Sequence, residues 1–517
     1  MSTAYVLSLL ALALLGTPLF VVVGAATALA FRWFTPDHQT VESLLPIIQN
    51  MEELLTKQEF LAIPMFMASG AIMTAGGIAE RLVAVAKALL GWLPGGLAVA
   101  AVFACMFFAA ISGSSPVTLI AVGSILYPAM MASNYEEKFS IGLLTTSGSL
   151  GCLVPPSISM LIYAITITST SARVDPQDLF LAGLIPAAII GTVLSIYAIV
   201  HGLRHGGSRE PFSWPALVHA VQEGIWALML PVLVLGGIYG GLYTPSEAGA
   251  VAALYALFVT GVLYRQLTFQ KLMTTLVESA TLMGSLLLII VLAFGLNEFL
   301  ADIDIQSKLM TLVRESNLGP AGFLLLVNVL LVVIGALMDS ISCTLIFAPM
   351  LAPLAWELYG IDPLHFGIVF VINMEIGYLM PPVATNLFVA AAVFKKPFGL
   401  VTRAVLPTLA LTLAALALFM YVPTLSVAAV RWQKGQEIWS PFPWDGKPTP
   451  QAARQSAGAD LTGQPRAAQP GTPAQTPGAA VPAASPGPDL GKLTAAAFAN
   501  DASPVAPAEE VSETTNL

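Results

Sequence analysis

The sequence predicts an all-α polytopic membrane protein built as an inverted repeat, with two re-entrant hairpins and two broken helices. Three observations lead there: an apolar composition, two long apolar stretches interrupted at their centres, and self-similarity between the halves of the chain. The 517 residues are 56% hydrophobic and only 10% charged, with a mean hydropathy of +0.81. Soluble domains carry roughly 25% charged residues, so an ordinary cytosolic enzyme is excluded. The formal net charge of −9 arises outside the apolar stretches and argues against a nucleic-acid partner.

A helix needs about 20 apolar residues to cross a bilayer. Hydropathy places spans near 4–30, 59–79, 139–170, 179–203, 223–243, 246–264, 276–300, 364–394 and 402–425. The first is apolar from Ala4 and lacks a basic n-region and a small-residue cleavage site. It reads as a retained span with a break at Gly16-Thr17-Pro18, not as a signal peptide. Stretches 95–132 and 320–357 are each long enough for two helices, yet ISGSSP at 111–116 and MDSIS at 338–342 interrupt them. A helix that enters, breaks and returns must bury its turn in protein or line a wet cavity. The charged stretches Glu80–Lys87 and Asp302–Glu315 precede these hairpins and predict amphipathic interfacial helices. Trp33, Trp92, Trp226 and Tyr243 lie near span ends, as interfacial aromatics do. Residues 431–517 hold 13 of the 37 prolines and predict a disordered tail. Connections 201–222, 265–275 and 395–403 carry Arg204, Arg209, Arg265, Lys271, Lys395, Lys396 and Arg403, which the positive-inside rule turns to the cytoplasm. Parity then places the N-terminus inside and the tail outside.

Segment 138–164 lies over 364–390 at an offset of 226 residues. Gly151 meets Gly377, Leu153 meets Leu379, and Pro155-Pro156 meets Pro381-Pro382. At the same offset Ser114, in the first hairpin break, meets Ser340 in the second. The chain divides accordingly into a first repeat at 1–222, an inverting span at 223–245, a second repeat at 246–430 and the tail. The extra span turns the second repeat upside down, and inverted repeats with paired discontinuous helices are the architecture of secondary transporters. Proline lacks an N–H, so each Pro-Pro leaves carbonyls of the upstream half-helix unpaired. Those carbonyls, with hairpin hydroxyls, suit a bare Na⁺, and the free N–H groups at half-helix N-termini suit a carboxylate.

Other polar residues keep two readings each. Glu375 lies in an apolar run opposite Ser149 of the other repeat; it is either a functional carboxylate or a hydrogen-bonded acid locking the broken helix. Asp339 either ligands Na⁺ or caps a half-helix. Glu247 fits N-capping chemistry with Ser246, and Asn297 and Glu298 end a span and snorkel. Cys105, Cys152 and Cys343 sit far apart in apolar segments, and the five histidines form no cluster, so neither a disulfide framework nor a metalloenzyme is expected.

Five ordered motifs carry a resemblance: FLAIPMFMASGAIMTAGGIAERL at 60–82, AAISGSSPVTLIAVGSILYPAM at 109–130, SGSLGCLVPPSISMLIYA at 147–164, LGGIYGGLYTPSEAGAVAALYALF at 235–258 and GIDPLHFGIVFVINMEIGYLMPPVATNLFVAA at 360–391. Over about residues 1–430 the chain resembles the large membrane subunit of tripartite ATP-independent periplasmic (TRAP) transporters, nearest the C4-dicarboxylate branch. The resemblance implies an elevator-type, Na⁺-coupled importer of organic acids in the bacterial inner membrane, without an ATPase and without a cofactor beyond the coupling ion. It also implies two partners, a small four-helix membrane subunit and a periplasmic substrate-binding protein. Carried over, one sodium site uses the tip Ser112, Gly113, Ser114 and Ser115 with the Cys152–Ser157 break, including Pro155. The other uses Asp339, Ser340 and Ser342 with the Leu379–Val383 break, including Pro381. Substrate would lie between the tips, within reach of Ser115, Ser157, Ser342, Thr385 and Asn386. Two features depart from the family pattern: Ala384, where the family often has Gly after Pro-Pro-Val, and the long tail.

A dianion crossing a hydrocarbon core needs charge compensation, and no basic residue lies in the expected core. Sodium supplies that compensation; proton coupling through Glu375 or Asp339 is the competing route. The nearest rival function is a stand-alone sodium/dicarboxylate symporter without a binding protein. A membrane-embedded hydrolase is the remote one, with His365 the sole arguable base. C4-dicarboxylates are the first expectation for substrate, ahead of sialic acids, 2-keto acids and ectoine-like solutes.

Overall fold

The computed structural model describes residues 19–34, 59–168, 170–205, 211–381 and 384–444. Among these no strand occurs. The helices are α1 (Leu19–Phe34), α2 (Glu59–Ala75), α3 (Ile78–Leu90), α4 (Gly96–Ser112), α5 (Ser115–Ala132), α6 (Glu137–Ser149), α7 (Ile158–Thr166), α8 (Pro176–His205), α9 (Trp214–Tyr239), α10 (Pro245–Phe258), α11 (Phe269–Asp302), α12 (Ile305–Glu315), α13 (Pro320–Leu337), α14 (Ser340–Tyr359), α15 (Pro363–Tyr378), α16 (Thr385–Phe394), α17 (Phe398–Tyr421) and α18 (Thr424–Gln433). Among the described residues eight helices are long and apolar enough to cross a membrane, or nine if the bent α2–α3 pair is one span. The Gly16-Thr17-Pro18 break and residues 445–517 of the tail lie outside the described residues.

Local chemistry sets the element ends. The expected span 59–79 stops at Ala75, because Gly76-Gly77, with Gly77 at φ +72°, turns the chain by 73° into α3. Helix α3 buries Ile78, Leu82, Val83 and Ala86 on one face. Its Arg81 stacks 3.7 Å above the Tyr264 ring and donates to the Gln266 Oε1 at 3.2 Å. Helix α10 starts at a capping box, but its cap is Thr244, not Ser246: Thr244 Oγ1 accepts from the Glu247 N–H, and Glu247 accepts from the Thr244 N–H at 2.8 Å. Asn297 does not snorkel; its Nδ2 donates to the Leu345 carbonyl of α14 at 2.8 Å.

The first residues of the expected tail pack against the helices. Residues 431–444 complete α18 and fold back: the Ser440 N–H donates to Thr424 Oγ1 at 3.0 Å, Trp444 stacks on Tyr421, and Lys434 pairs with Asp178 of α8. Aromatic side chains and these pairings outweigh the proline-rich composition over that stretch.

The two broken helices form the centre. Helix α7 is buried throughout and α15 is buried from His365 to Tyr378. Hairpin α4–α5 packs on α6, and hairpin α13–α14 packs on α15. The half-helices after the breaks cross over: α7 packs on α14, and α16 packs on α5. Outside this centre α9, α10 and α11 expose Val232, Leu254 and Val277, apolar side chains suited to lipid.

Candidate functional site

The two hairpin turns and the two helix breaks converge in this centre. At the first turn α4 ends at Ser112, and Gly113 takes φ +61°, a left-handed conformation open to glycine at no steric cost. Its carbonyl accepts from the Ile158 N–H at 3.4 Å, which ties the hairpin to the first break. The hydroxyls are internally bonded. Ser112 Oγ lies 2.9 Å from Thr118 Oγ1, Thr118 donates to the Ser114 carbonyl at 2.9 Å, and Ser115 donates to the Ser149 carbonyl at 2.8 Å. At the break α6 ends at Ser149, a tight turn spans Leu150–Cys152, and α7 starts after Ser157. The Pro155 carbonyl meets no donor among the described residues. Ser157 is an N-cap: its Oγ accepts from the Met160 N–H at 3.3 Å and donates to the Cys152 carbonyl.

The second turn is built differently. Met338 and Asp339 are extended, and Asp339 Oδ2 accepts from the Ser342 N–H at 3.0 Å, capping α14. Both readings of Asp339 thus meet in one side chain, because its Oδ1 is buried without a partner, as are Ser340 Oγ and Ser342 Oγ. The Ser340 N–H donates to Tyr378 Oη at 3.3 Å. The hairpin reaches the broken helix backbone to backbone: a β-carbon on Gly377 would lie 2.7 Å from the Gly335 backbone. At the break Leu379 and Met380 close a turn on Ile376 and Gly377, and Pro381 is exposed. Pro382 and Val383 lie outside the described residues. Ala384 takes φ +40° at the start of α16, a left-handed conformation that strains any residue with a β-carbon.

Several features recur at the 226-residue offset. Thr118 donates to the Ser114 carbonyl and Thr344 to the Ser340 carbonyl at 2.7 Å. The hairpins end on Asn134 at φ +59° and Gly360 at φ +62°.

The crossing of the half-helices redistributes the substrate candidates. Phe394 lies against Tyr127 with ring centroids 4.7 Å apart, and Lys396 pairs with Glu137, so α16 runs parallel to α5 and places Thr385 and Asn386 beside the first turn. Asn386 is fully buried, and neither of its side-chain polar atoms has a partner. Ser171 donates to Glu357, so α7 runs parallel to α14 and Ser157 lies beside the second turn. Of the hydroxyls expected to face substrate, Ser115 and Ser157 are already engaged within the chain, while Ser342 is free of partners.

Glu375, for which the sequence allows either a functional or a locking role, lies at the first turn, with Oε2 3.3 Å and Oε1 3.5 Å from Ser115 Oγ. The pairing of Ser149 with Glu375 in the repeat was the available signal, since both now meet Ser115. Among the described residues no Lys or Arg is buried. His365 binds Ser426 Oγ at 3.2 Å and the Met420 carbonyl at 3.3 Å, and sits about 15 Å along α15 from Glu375. It has no serine of either turn to activate. A cavity of about 780 Å³ lies elsewhere, between Arg81, Gln222, Trp226, Tyr264 and Lys271.

Comparisons with known proteins identify the family and the fold. Residues 6–425 match the family described as "Tripartite ATP-independent periplasmic transporter, DctM component". The chain is 42% identical over 410 residues to the C4-dicarboxylate TRAP transporter large permease protein DctM of Pseudomonas aeruginosa, covering 79% of this chain and 93% of that one. It is 32% identical over 428 residues to the ectoine TRAP transporter large permease protein TeaC of Halomonas elongata, covering 83% and 98%. A crystal structure of the Alcanivorax borkumensis YdaH transporter shares the fold, with a TM-score of 0.54 at 14% identity over 81% of this chain and 98% of that one. With a family match across most of its length and the helical membrane fold to carry it, the chain belongs to the tripartite ATP-independent periplasmic transporters, as a large permease of the DctM kind.

Proposed function

We propose that the chain is a Na⁺-coupled secondary importer of small organic acid anions, C4-dicarboxylates first, acting in the bacterial inner membrane with a small membrane subunit and a periplasmic substrate-binding protein. The observation that carries this reading is the second turn, where Asp339 Oδ1, Ser340 Oγ and Ser342 Oγ are buried without partners within four residues of chain. Buried polar atoms are almost always hydrogen-bonded, so an orphaned set implies a ligand that supplies what the protein withholds. Three hard oxygens, one of them anionic, fit a small hard cation such as Na⁺. The first turn offers the Pro155 carbonyl beside Ser112–Ser115, a weaker but related donor set.

Substrate would sit between the turns. The unpartnered Asn386 amide is a donor for a carboxylate, and the positive N-terminal ends of α5 and α14 favour its charge. With no buried Lys or Arg among the described residues, charge balance falls to the cations. The C4-dicarboxylate preference leans on the Pseudomonas aeruginosa relative's name. In this reading the N-terminus is cytoplasmic and the tail periplasmic. The halves are inverted repeats, supported by the recurring Thr118 and Thr344 bonds. Hairpins and broken helices move together as an elevator against α9 and α10. Only tighter binding in one state than the other lets a gradient drive such a movement.

Succinate uptake into proteoliposomes holding this chain, its small membrane subunit and the cognate binding protein tests the proposal. Uptake is expected to require both an inward Na⁺ gradient and the binding protein. Uptake without the binding protein would instead assign a stand-alone symporter, and uptake driven only by protons would remove the sodium sites.

A further inference from the structure

Under the sodium reading above, on which this inference rests, the two turns differ at the position where the second carries the carboxylate of Asp339. The first carries Gly113 there. The broken helices differ in the opposite sense: the first has Ser149 where the second has Glu375. One carboxylate is missing from the first turn, and one extra carboxylate stands in the second broken helix. The structure brings that extra carboxylate across to the first turn, where Glu375 Oε2 lies 3.3 Å from Ser115 Oγ.

Glu375 is only 4% exposed. Among the described residues it has no ion-pair partner. Ser115 alone does not satisfy it. Ser115 has one proton, and its shorter contact, at 2.8 Å, is to the Ser149 carbonyl, against 3.3 and 3.5 Å to the carboxylate. The Cys152 thiol and the Ser149 hydroxyl also reach the carboxyl, and Cys152 Sγ lies 3.5 Å from Ser115 Oγ. A carboxylate this buried costs several kcal/mol while it stays charged, a cost that a bound cation or a bound proton removes. Oxygens of Ser115 and Glu375 face one another, and the first break, which reaches Ser115 through Cys152, also carries the Pro155 carbonyl, which meets no donor among the described residues.

We propose that Glu375 supplies the anionic ligand of the cation at the first turn, so that this site is completed by a residue from the other half of the chain. Each turn then holds one carboxylate, Asp339 from its own hairpin at the second and Glu375 from the opposite broken helix at the first. The first site exists only while the two halves are apposed, which couples cation binding there to the integrity of the whole centre. The second site closes within its own half.

The test is Na⁺-dependent thermal stabilisation of the full chain purified with its small membrane subunit, with choline replacing Na⁺ at constant ionic strength. Glu375→Gln keeps the shape and removes the charge. It is expected to raise the half-saturating Na⁺ concentration of one binding phase by about tenfold or more, while Ser340→Ala shifts the other phase, in wild type and in Glu375→Gln alike. A carboxyl that merely locks the helix would change the melting temperature without Na⁺ and leave the Na⁺ midpoint where it was; that result overturns the inference. Should Glu375→Gln fail to fold, Ser115→Ala removes the facing hydroxyl and is expected to weaken the same phase; an unchanged phase overturns the inference equally. A wild-type protein with no Na⁺ response overturns the sodium reading itself, whereas a responsive wild type beside an unaltered Glu375→Gln overturns only the role of Glu375.

Discussion

The first turn spends its hydroxyls on itself, and the second leaves them open. Ser112, Ser115 and Thr118 are all bonded within the protein, whereas Ser340 and Ser342 are buried with no partner. Both turns hold the same threonine bond, Thr118 to Ser114 and Thr344 to Ser340, so the backbone scaffold is shared. The difference lies in the residues beside it. Gly113 turns freely and lets the hydroxyls close on backbone carbonyls, while Asp339 takes over the capping of α14 and releases the serines behind it. Two turns that share a backbone pattern thus differ in what their side chains leave open: the hydroxyls of one are bonded within the chain, and those of the other are buried without a partner.

The two hairpins also differ in where backbone meets backbone, at Gly113 and Pro156 in the first and at Gly335 and Gly377 in the second. Gly335 and Gly377 touch directly, and a β-carbon on Gly377 would lie 2.7 Å from the Gly335 backbone, against 3.2 Å for the reverse substitution. Overpacking costs about 1–3 kcal/mol. Gly377→Ala is therefore expected to lower the melting temperature and abolish uptake, with Gly335→Ala milder in both. The first half already has Ala109 at the position matching Gly335, so its hairpin stands off far enough to accept a methyl group. Equal behaviour of the two variants would mean that α13 and α15 separate easily.

Hydroxyl deletions come next and should split by readout. Ser112→Ala orphans groups that now bond to it and is expected to cost about 1 kcal/mol of stability. Ser340→Ala removes no protein hydrogen bond from its side chain, so stability without Na⁺ should hold while Na⁺ affinity falls by about tenfold. Melting curves of both variants with and without Na⁺ decide this. Loss of stability in Ser340→Ala without Na⁺ would show that the second turn is pre-formed too.

Much of this was legible in the sequence because membrane helices leave coarse signals. The interruptions at Gly113 and at Asp339 stand out against apolar runs, and the double prolines recur at a fixed offset. Three things were not legible. The crossing of α7 and α16 onto the opposite hairpins is a tertiary choice that hydropathy does not encode, so Ser157 and Asn386 were assigned to a shared space and not to particular turns. The placement of Glu375 against Ser115 depends on the same crossing of halves. The packing of residues 431–444 was not legible either, because composition does not reveal the Tyr421–Trp444 and Lys434–Asp178 contacts, which join residues distant in sequence or in polar surroundings.

The half-helix starts give the next contrast, with opposite signs. Ser157 caps α7 well, so Ser157→Ala should destabilise by about 1 kcal/mol. Ala384 begins α16 at φ +40°, where a β-carbon costs about 1–2 kcal/mol. Glycine relieves that strain but gains about 0.4–1 kcal/mol of freedom in the unfolded chain. The balance favours Ala384→Gly by less than about 1 kcal/mol, a small rise in melting temperature. A fall instead would mean that surrounding contacts stabilise the alanine more than the backbone strains it.

The smallest effect is expected where the halves are pinned at the surface. On one side Ser171 binds Glu357; on the other Lys396 pairs with Glu137, which also accepts from Tyr127 Oη at 3.1 Å. Only the second pin unites opposite charges. The Lys396 hydrogen bond holds the Glu137 carboxyl below its ordinary value of 4.5, and the Glu137 hydrogen bond raises the Lys396 ammonium above 10.5. A depressed acid contributes fully above its unfolded value and loses that contribution as pH falls through the folded one. A raised base contributes fully below its unfolded value and loses it as pH rises through the folded one. Between 4.5 and 10.5 the pin should therefore be independent of pH. Both partners are over a third exposed or nearly so, at 35% and 38%, and salt screens such pairs. Lys396→Met should lower the melting temperature slightly at neutral pH and low salt. That difference should vanish at high salt and again at pH well below the ordinary carboxylate range, whereas Ser171→Ala should be insensitive to salt. A salt-independent Lys396→Met deficit would assign the pin to packing of the lysine stem against Tyr127, leaving the two sides of the centre held by the same kind of contact.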